Sequence, residues 1–190
     1  MLEKIPHAVG EALSRVKAGL GKTVYHSVFS DVPESITVTS EAFADGGTIP
    51  ARYTDDGGKL SPPLAWSGLP PGTGSVVLMV EDPDAPMPRP LVHLIAWKER
   101  AHDAALPEGD FASRGTEGQR HELGRNSFQR DAWLPPDPPT GHGPHHYLFQ
   151  VYALDGVLDL PHSPGRGDIL DAMRGRVLAK GLLTGVYERK

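Results

Sequence analysis

Residues 80–94 read VEDPDAPMPRPLVHL, and the rest of the chain is understood outward from them. An apolar run ends in Glu81, Asp82 and Asp84, with Pro83 and Pro86 set among them. Pro88 and Pro90 follow, and apolar chain resumes with His93 between Val92 and Leu94. Asp-Pro and Pro-Asp pairs favour turns, and proline restricts φ, so the stretch predicts a strand, a stiff turn and a second strand. It also sets Asp82 and Asp84 at the mouth of a buried strand and returns a histidine to the same region.

On either side the pattern continues. SVVLMVE (75–81) is an uninterrupted apolar run of buried-strand length, and LVHLIAW (91–97) and HHYLFQVYALD (145–155) have the same character. Strict alternation groups Leu91, His93, Ile95 and Trp97 on one face. It likewise groups His145, Tyr147, Phe149 and Val151, with His146, Leu148 and Gln150 opposite. SITVTSEAF (35–43) and GTIPARYT (47–54) are further strand candidates. Helical spacing of Val9, Leu13, Val16 and Leu20 predicts an amphipathic helix over 6–20. GRGDILDAMRGRVLAKG (165–181) predicts a helix begun by Asp168 and carrying Ile169, Leu170, Met173, Val177 and Leu178, followed by a closing strand in LLTGVYER (182–189). The long segment 98–144 is either a pocket wall or an excursion; Phe128 and Trp133 favour the wall.

At 190 residues and 38% hydrophobic content the chain can bury one core, and 22 glycines and 19 prolines scattered among apolar runs indicate many short elements. The expected organisation is an N-terminal helical extension over 1–30 and one domain over 31–190. Strands first, then a long loop, a strong strand, one helix and a last strand is the order of a mainly β, antiparallel sandwich with a few peripheral helices. The net charge of -5 and the absence of a Lys/Arg cluster argue against nucleic acid and anionic membrane as partners. No cysteine is present, which excludes thiolate zinc sites and cysteine nucleophiles. Charged residues interrupt the first 22 positions and no stretch approaches the ~20 apolar residues of a membrane span, so a cytoplasmic protein without stable membrane insertion is expected.

EDPDAP after an apolar strand, LVHL shortly afterwards and GHGPHHYLFQVYALD before the final helix resemble the phosphatidylethanolamine-binding protein family, which includes the Raf kinase inhibitor proteins and many bacterial homologues. SEAFADGGTIPARYTDDGG, SPPLAWSGLPPGT, GRNSF and LLTGVYER occur in the order of its bacterial branch, so the resemblance spans residues 35–189. It implies a β-sandwich with a small anion pocket at its rim, lined by Asp82, Pro86, His93, His145 and, on the same strand face, Tyr147. Asp84, Gly143 and His146 are expected to support it. The family's glycine, any residue, histidine, arginine signature appears here as Gly143, Pro144, His145 and His146, so histidine replaces an arginine expected in a structural ion pair.

Two imidazoles can each donate an N–H to an oxyanion, which agrees with such a pocket, whereas Asp82 alone would repel a dianion. The conflict disappears if Asp82 holds a histidine as a cation, if the acid or the ligand carries a proton, or if Asp82 accepts from an ammonium head group. The leading expectation is a non-enzymatic protein, without a cofactor, that binds phosphate, sulfate or a phospho-head group and regulates a kinase or protease partner. A second reading is a metal-assisted hydrolase with Asp82, Asp84, His93 and His145 as ligands. A third is an interaction protein whose N-terminal helix makes a homodimer. Adjacent histidines on a strand face opposite sides, so His142, His145 and His146 do not by themselves form a metal cluster.

Overall fold

A computed structural model describes residues 7–99, 102–111 and 121–190. Its centre is β4 (Ser75–Asp82), in which every residue is buried, as the unbroken apolar run requires of a strand covered on both faces. β4 pairs antiparallel with β5 (Leu91–Glu99) on one side and β8 (His145–Leu154) on the other. β8 pairs in turn with β9 (Val177–Tyr187), and β5 with the short β7 (Glu122–Gly124). β2 (Gly47–Thr48) adds a parallel pairing, against β9, and completes a six-stranded sheet. A second sheet of β1 (Thr37–Thr39), β3 (Leu64–Ser67) and β6 (Ala104–Leu106) lies over one face of the first. The protein is therefore mainly β with two sheets, an N-terminal helix α1 (His7–Leu13) and a second helix α2 (Arg166–Met173) before the last strand.

Alternation along the strands divides the apolar residues into two cores. Val38, Trp66, Leu78, Val80, Tyr147 and Phe149 fill the space between the sheets. Val77, Met79, Ile95 and Tyr152 face the other way, against Ile169 and Met173 of α2. Val24, Tyr25 and Phe29, inside the segment expected as an extension, are buried in this second core. Lys180 holds them there. It is 1% exposed, donates to the carbonyls of Tyr25 and Phe29 at 3.1 and 2.9 Å, and lies 3.9 Å from the Tyr25 ring centroid.

Several expected elements differ in extent. The N-terminal helix ends at Leu13 instead of continuing to residue 20, and Val9, Val16 and Leu20 are exposed. The residues that bury are small: Gly10, whose Cβ would overlap the Thr140 carbonyl, and Ala18. Close backbone approach, not an apolar stripe, docks this segment. The second helix stops at Met173, and Gly175 at φ +70° turns the chain so that Val177 and Leu178 begin β9. Asp168 acts from inside the first turn, its carboxylate accepting from the Gly165 N–H at 2.8 Å. GTIPARYT gives only the two residues of β2 before a 3-10 turn at Ala51–Tyr53. The long 98–144 segment contains β6 and β7.

Replacing Lys180 with methionine removes the donor that these backbone carbonyls share inside the core. The expected cost is about 1–3 kcal/mol, from the Tyr25 carbonyl left without its donor, since the Phe29 carbonyl keeps the Val32 N–H at 3.2 Å. A chemical denaturation midpoint equal to that of the parent protein would show that Lys180 does not hold the Tyr25 segment.

Candidate functional site

The DPDAP turn is built on Asp82. The residue is 2% exposed at the end of β4, and its Oδ1 accepts from the N–H groups of Asp84 and Ala85 at 2.8 and 3.1 Å, closing the turn on itself. Its other oxygen accepts from His145 Nδ1 at 2.7 Å and stands 4.0 Å from His93 Nε2. His145 is the first residue of β8. Its Nε2 lies 2.8 Å from His142 Nδ1, and His142 Nε2 is 3.3 Å from the Val16 carbonyl.

That chain of three hydrogen bonds has an acceptor at each end, a carboxylate at one and a carbonyl at the other. Three N–H groups are needed, and two neutral imidazoles supply only two. The Asp82–His145–His142 chain therefore holds one proton more than a carboxylate and two neutral imidazoles would. Burial first, and then His145, hold His142 below its ordinary value, which keeps that proton at the Asp82–His145 end of the chain. The geometry puts a proton between Asp82 and His145, so the acid does not stand bare in the pocket.

His93 reaches the same place through a bulge. Val80 pairs with Leu94 and Glu81 with Val92, leaving His93 as the extra residue of β5. The bulge breaks the expected grouping of Leu91, His93, Ile95 and Trp97: Ile95 and Trp97 pack in the second core, while the His93 ring meets Tyr147 edge-on at 5.0 Å. His93 Nδ1 donates to the Leu134 carbonyl at 2.7 Å, so Nε2 bears the lone pair and has no protein partner. Burial, only partly offset by Asp82, holds the ring below its ordinary value. Tyr147 Oη is likewise buried and unpartnered, and burial followed by the Asp82 charge pushes this phenol well up, keeping its proton.

Asp82, Pro86, His93, His145 and Tyr147 all line one pocket with a cavity volume of about 30 Å³. A water needs ~10–15 Å³ by this kind of measure, so the space suits a small ion or the tip of a larger molecule. One expectation changes. Both ring nitrogens of His145 are occupied, so of the two imidazoles only His93 has a nitrogen to offer a ligand.

The other expected residues lie outside the pocket. Asp84 turns away to bind Lys17 Nζ at 2.8 Å and both the ring and the backbone N–H of His146, at 2.7 and 2.8 Å. Burial would raise its carboxyl, but the hydrogen bonds from Lys17 and His146 outweigh burial and hold it below the usual range. His146 thus occupies the ion-pair position expected for arginine, sharing the acid with a lysine of the N-terminal segment. Gly143, at φ +94°, supplies the turn into β8. Because Asp84 points elsewhere, Asp82, Asp84, His93 and His145 do not converge as a ligand set, and among the described residues no three acids or histidines are placed to hold a metal.

Further residues complete the site, among them Phe128, expected from the sequence as part of a pocket wall, and His142, weighed there only as a member of a metal cluster. His142 extends the proton chain. Leu134 and the prolines after it form a wall with Phe128. Asn126, in the GRNSF motif, folds that wall: its side chain accepts from the N–H groups of Phe128 and Arg130 and donates to the Ala132 carbonyl.

Residues 39–188 match the family model described as phosphatidylethanolamine-binding protein. A UPF0098 protein of Pyrococcus horikoshii is 42% identical over 152 residues, covering 80% of this chain and 76% of that one. Among solved structures, YbcL of E. coli aligns with TM-score 0.75 and 30% identity over 82% of this chain and 99% of its own. A phosphatidylethanolamine-binding protein homologue of Chlamydia trachomatis aligns with TM-score 0.73 and 33% identity, over 83% and 99%. Among the described residues no helix is long and apolar enough to cross a membrane.

His93 and His142 are both held low by burial, so the folded protein excludes protons that the unfolded chain accepts near ~6.5. Their contribution to stability is complete above that value and is lost as pH falls from it toward the lower folded values. The melting temperature is expected to drop between about pH 7.5 and 5.5, and to drop less in His93→Gln. Equal slopes in the two proteins would remove His93 as a source.

Proposed function

The chain belongs to the phosphatidylethanolamine-binding protein family, and we propose that it is a non-enzymatic protein that binds a small oxyanion, free or as the phosphoryl tip of a head group, between His93, Tyr147 and the Asp82–His145 pair. The observation that carries this reading is the pair of buried polar atoms without a protein partner, His93 Nε2 and Tyr147 Oη, on rings that meet at the wall of one pocket. Buried polar groups are nearly always satisfied, and such exceptions call for a ligand or water.

The two groups differ in what they require. Tyr147 keeps its O–H and can donate at once. His93 presents a lone pair, so it can donate to an anion only after taking up a proton. An arriving oxyanion supplies the countercharge that makes this protonation favourable, and the proton shared by His145 and Asp82 cancels the acid that would otherwise repel it. Binding and proton uptake are thereby one event, and affinity rises as pH falls.

Sulfate is the cleanest probe because it does not titrate near neutrality. Calorimetric titration at about pH 7.5 in two buffers of different ionisation heat is expected to give uptake of about one proton per sulfate bound, absent in His93→Gln. His145→Ala leaves Asp82 charged and uncompensated and should weaken binding by roughly 1.5–3 kcal/mol. Uptake near zero, or unchanged affinity in both variants, refutes the reading. Phosphoethanolamine and phosphatidylethanolamine vesicles as competitors separate a free anion from a lipid head group.

A further inference from the structure

Glu81, like Asp84, is an acid of the opening motif that the anion pocket leaves unused. It is 0% exposed, next to Asp82 on β4. One oxygen accepts from Val24 N–H at 2.7 Å and Gln150 Nε2 at 3.1 Å; the other accepts from Arg166 Nε at 2.9 Å. A carboxylate buried this deeply fixes the guanidinium that it binds.

Arg166 is fixed at the side of a second cavity of about 460 Å³, also lined by Arg89, Arg125 and the apolar Met87, Pro88 and Leu91. Arg125 has one acid near it, Asp168 at 3.8 Å, whose oxygen also accepts from Gly165. Arg89 is exposed and has no partner among the described residues. Lys22 adds a fourth cation at the edge, its Nζ donating to the Pro88 carbonyl at 3.2 Å. Four cations thus face two carboxylates, Glu81 and Asp168, in a chain whose net charge is -5.

We propose that this groove binds an extended, carboxylate-rich segment of a partner protein. Charge selects an acidic occupant. The apolar lining and the volume, about 460 Å³ against about 30 Å³ in the anion pocket, select one that brings apolar side chains as well as carboxylates. Guanidiniums are suited to forked contacts with carboxylates, and Arg166 enters them with its side chain already ordered. This site is separate from the oxyanion reading: adjacent acids of β4 serve each, Asp82 holding His145 and Glu81 holding Arg166.

The probe is a fluorescein-labelled peptide of alternating glutamate and leucine, titrated by fluorescence anisotropy into the full chain, with the glutamine analogue as control. Arg89→Ala and Arg125→Ala remove exposed side chains and leave the buried Glu81–Arg166 pair intact. Each is expected to weaken peptide binding about three- to tenfold, with sulfate affinity at the His93 pocket unchanged. Arg174→Ala, on exposed surface beside Asp171, is expected to change nothing. Binding of the glutamate peptide should also fall with added salt. Equal affinity in the arginine variants, or equal binding of the glutamine peptide, overturns the proposal. So does capture by anionic vesicles with the same arginine dependence when the peptide does not bind, since that assigns the groove to a membrane surface.

Discussion

The buried carboxylate of Asp82 is the interaction on which this end of the molecule depends. A carboxyl group at 2% exposure is tolerable only if its polar atoms are occupied, and the chain supplies two backbone N–H groups from its own turn and a histidine from β8. Each bond sets something else. The backbone pair fixes the turn that points Asp84 outward, where Lys17 and His146 meet it. The histidine bond registers the start of β8 against the end of β4 and passes through His142 to the Val16 carbonyl. The N-terminal segment is also tied to the turn directly, by Ala18 N–H to the Ala85 carbonyl and Gly19 N–H to that of Pro83. A segment outside the matched family region is thereby held against the wall of the pocket.

The sequence made the strands and their faces legible wherever periodicity was strong. β4 and β8 needed nothing more, because apolar runs of strand length, buried on both faces, have few other interpretations. Legibility failed where the determinant is one backbone irregularity. The bulge that leaves His93 unpaired carries no residue signature, yet it decides which face receives the ring. The N-terminal helix was overextended for a related reason: Val9, Leu13, Val16 and Leu20 satisfy a helical period, but the contacts that dock this segment come from Gly10 and Ala18. Packing by small residues leaves no trace in a hydrophobic pattern.

The candidate site divides in the same way. The acids and histidines of the motifs could be located because chemistry-bearing residue types are rare in apolar strands. Which nitrogen remains available could not, since it depends on partners remote in sequence: Leu134 claims one nitrogen of His93, and Asp82 and His142 claim both of His145. The two histidines look interchangeable in the sequence. In the fold His145 has both ring nitrogens engaged and His93 has one to offer.

Adjacent positions on a strand point to opposite faces, and this lets the end of β4 organise two environments without conflict. Glu81 and Asp82 are both buried and both hydrogen-bonded to a basic side chain, but Glu81 looks toward α2 through Arg166 and Asp82 toward β8 through His145. Between the two cavities runs the segment from Pro86 to Leu91, with Leu91 lining both. Three prolines in six residues restrict the backbone of that shared wall, so little conformational freedom remains to be lost when either cavity is occupied. Preorganisation of this kind lowers the cost of binding without adding a contact. The proline-rich turn is then more than the end of a strand: it is the stiff partition that keeps an acid-anchored histidine on one side and an acid-anchored arginine on the other.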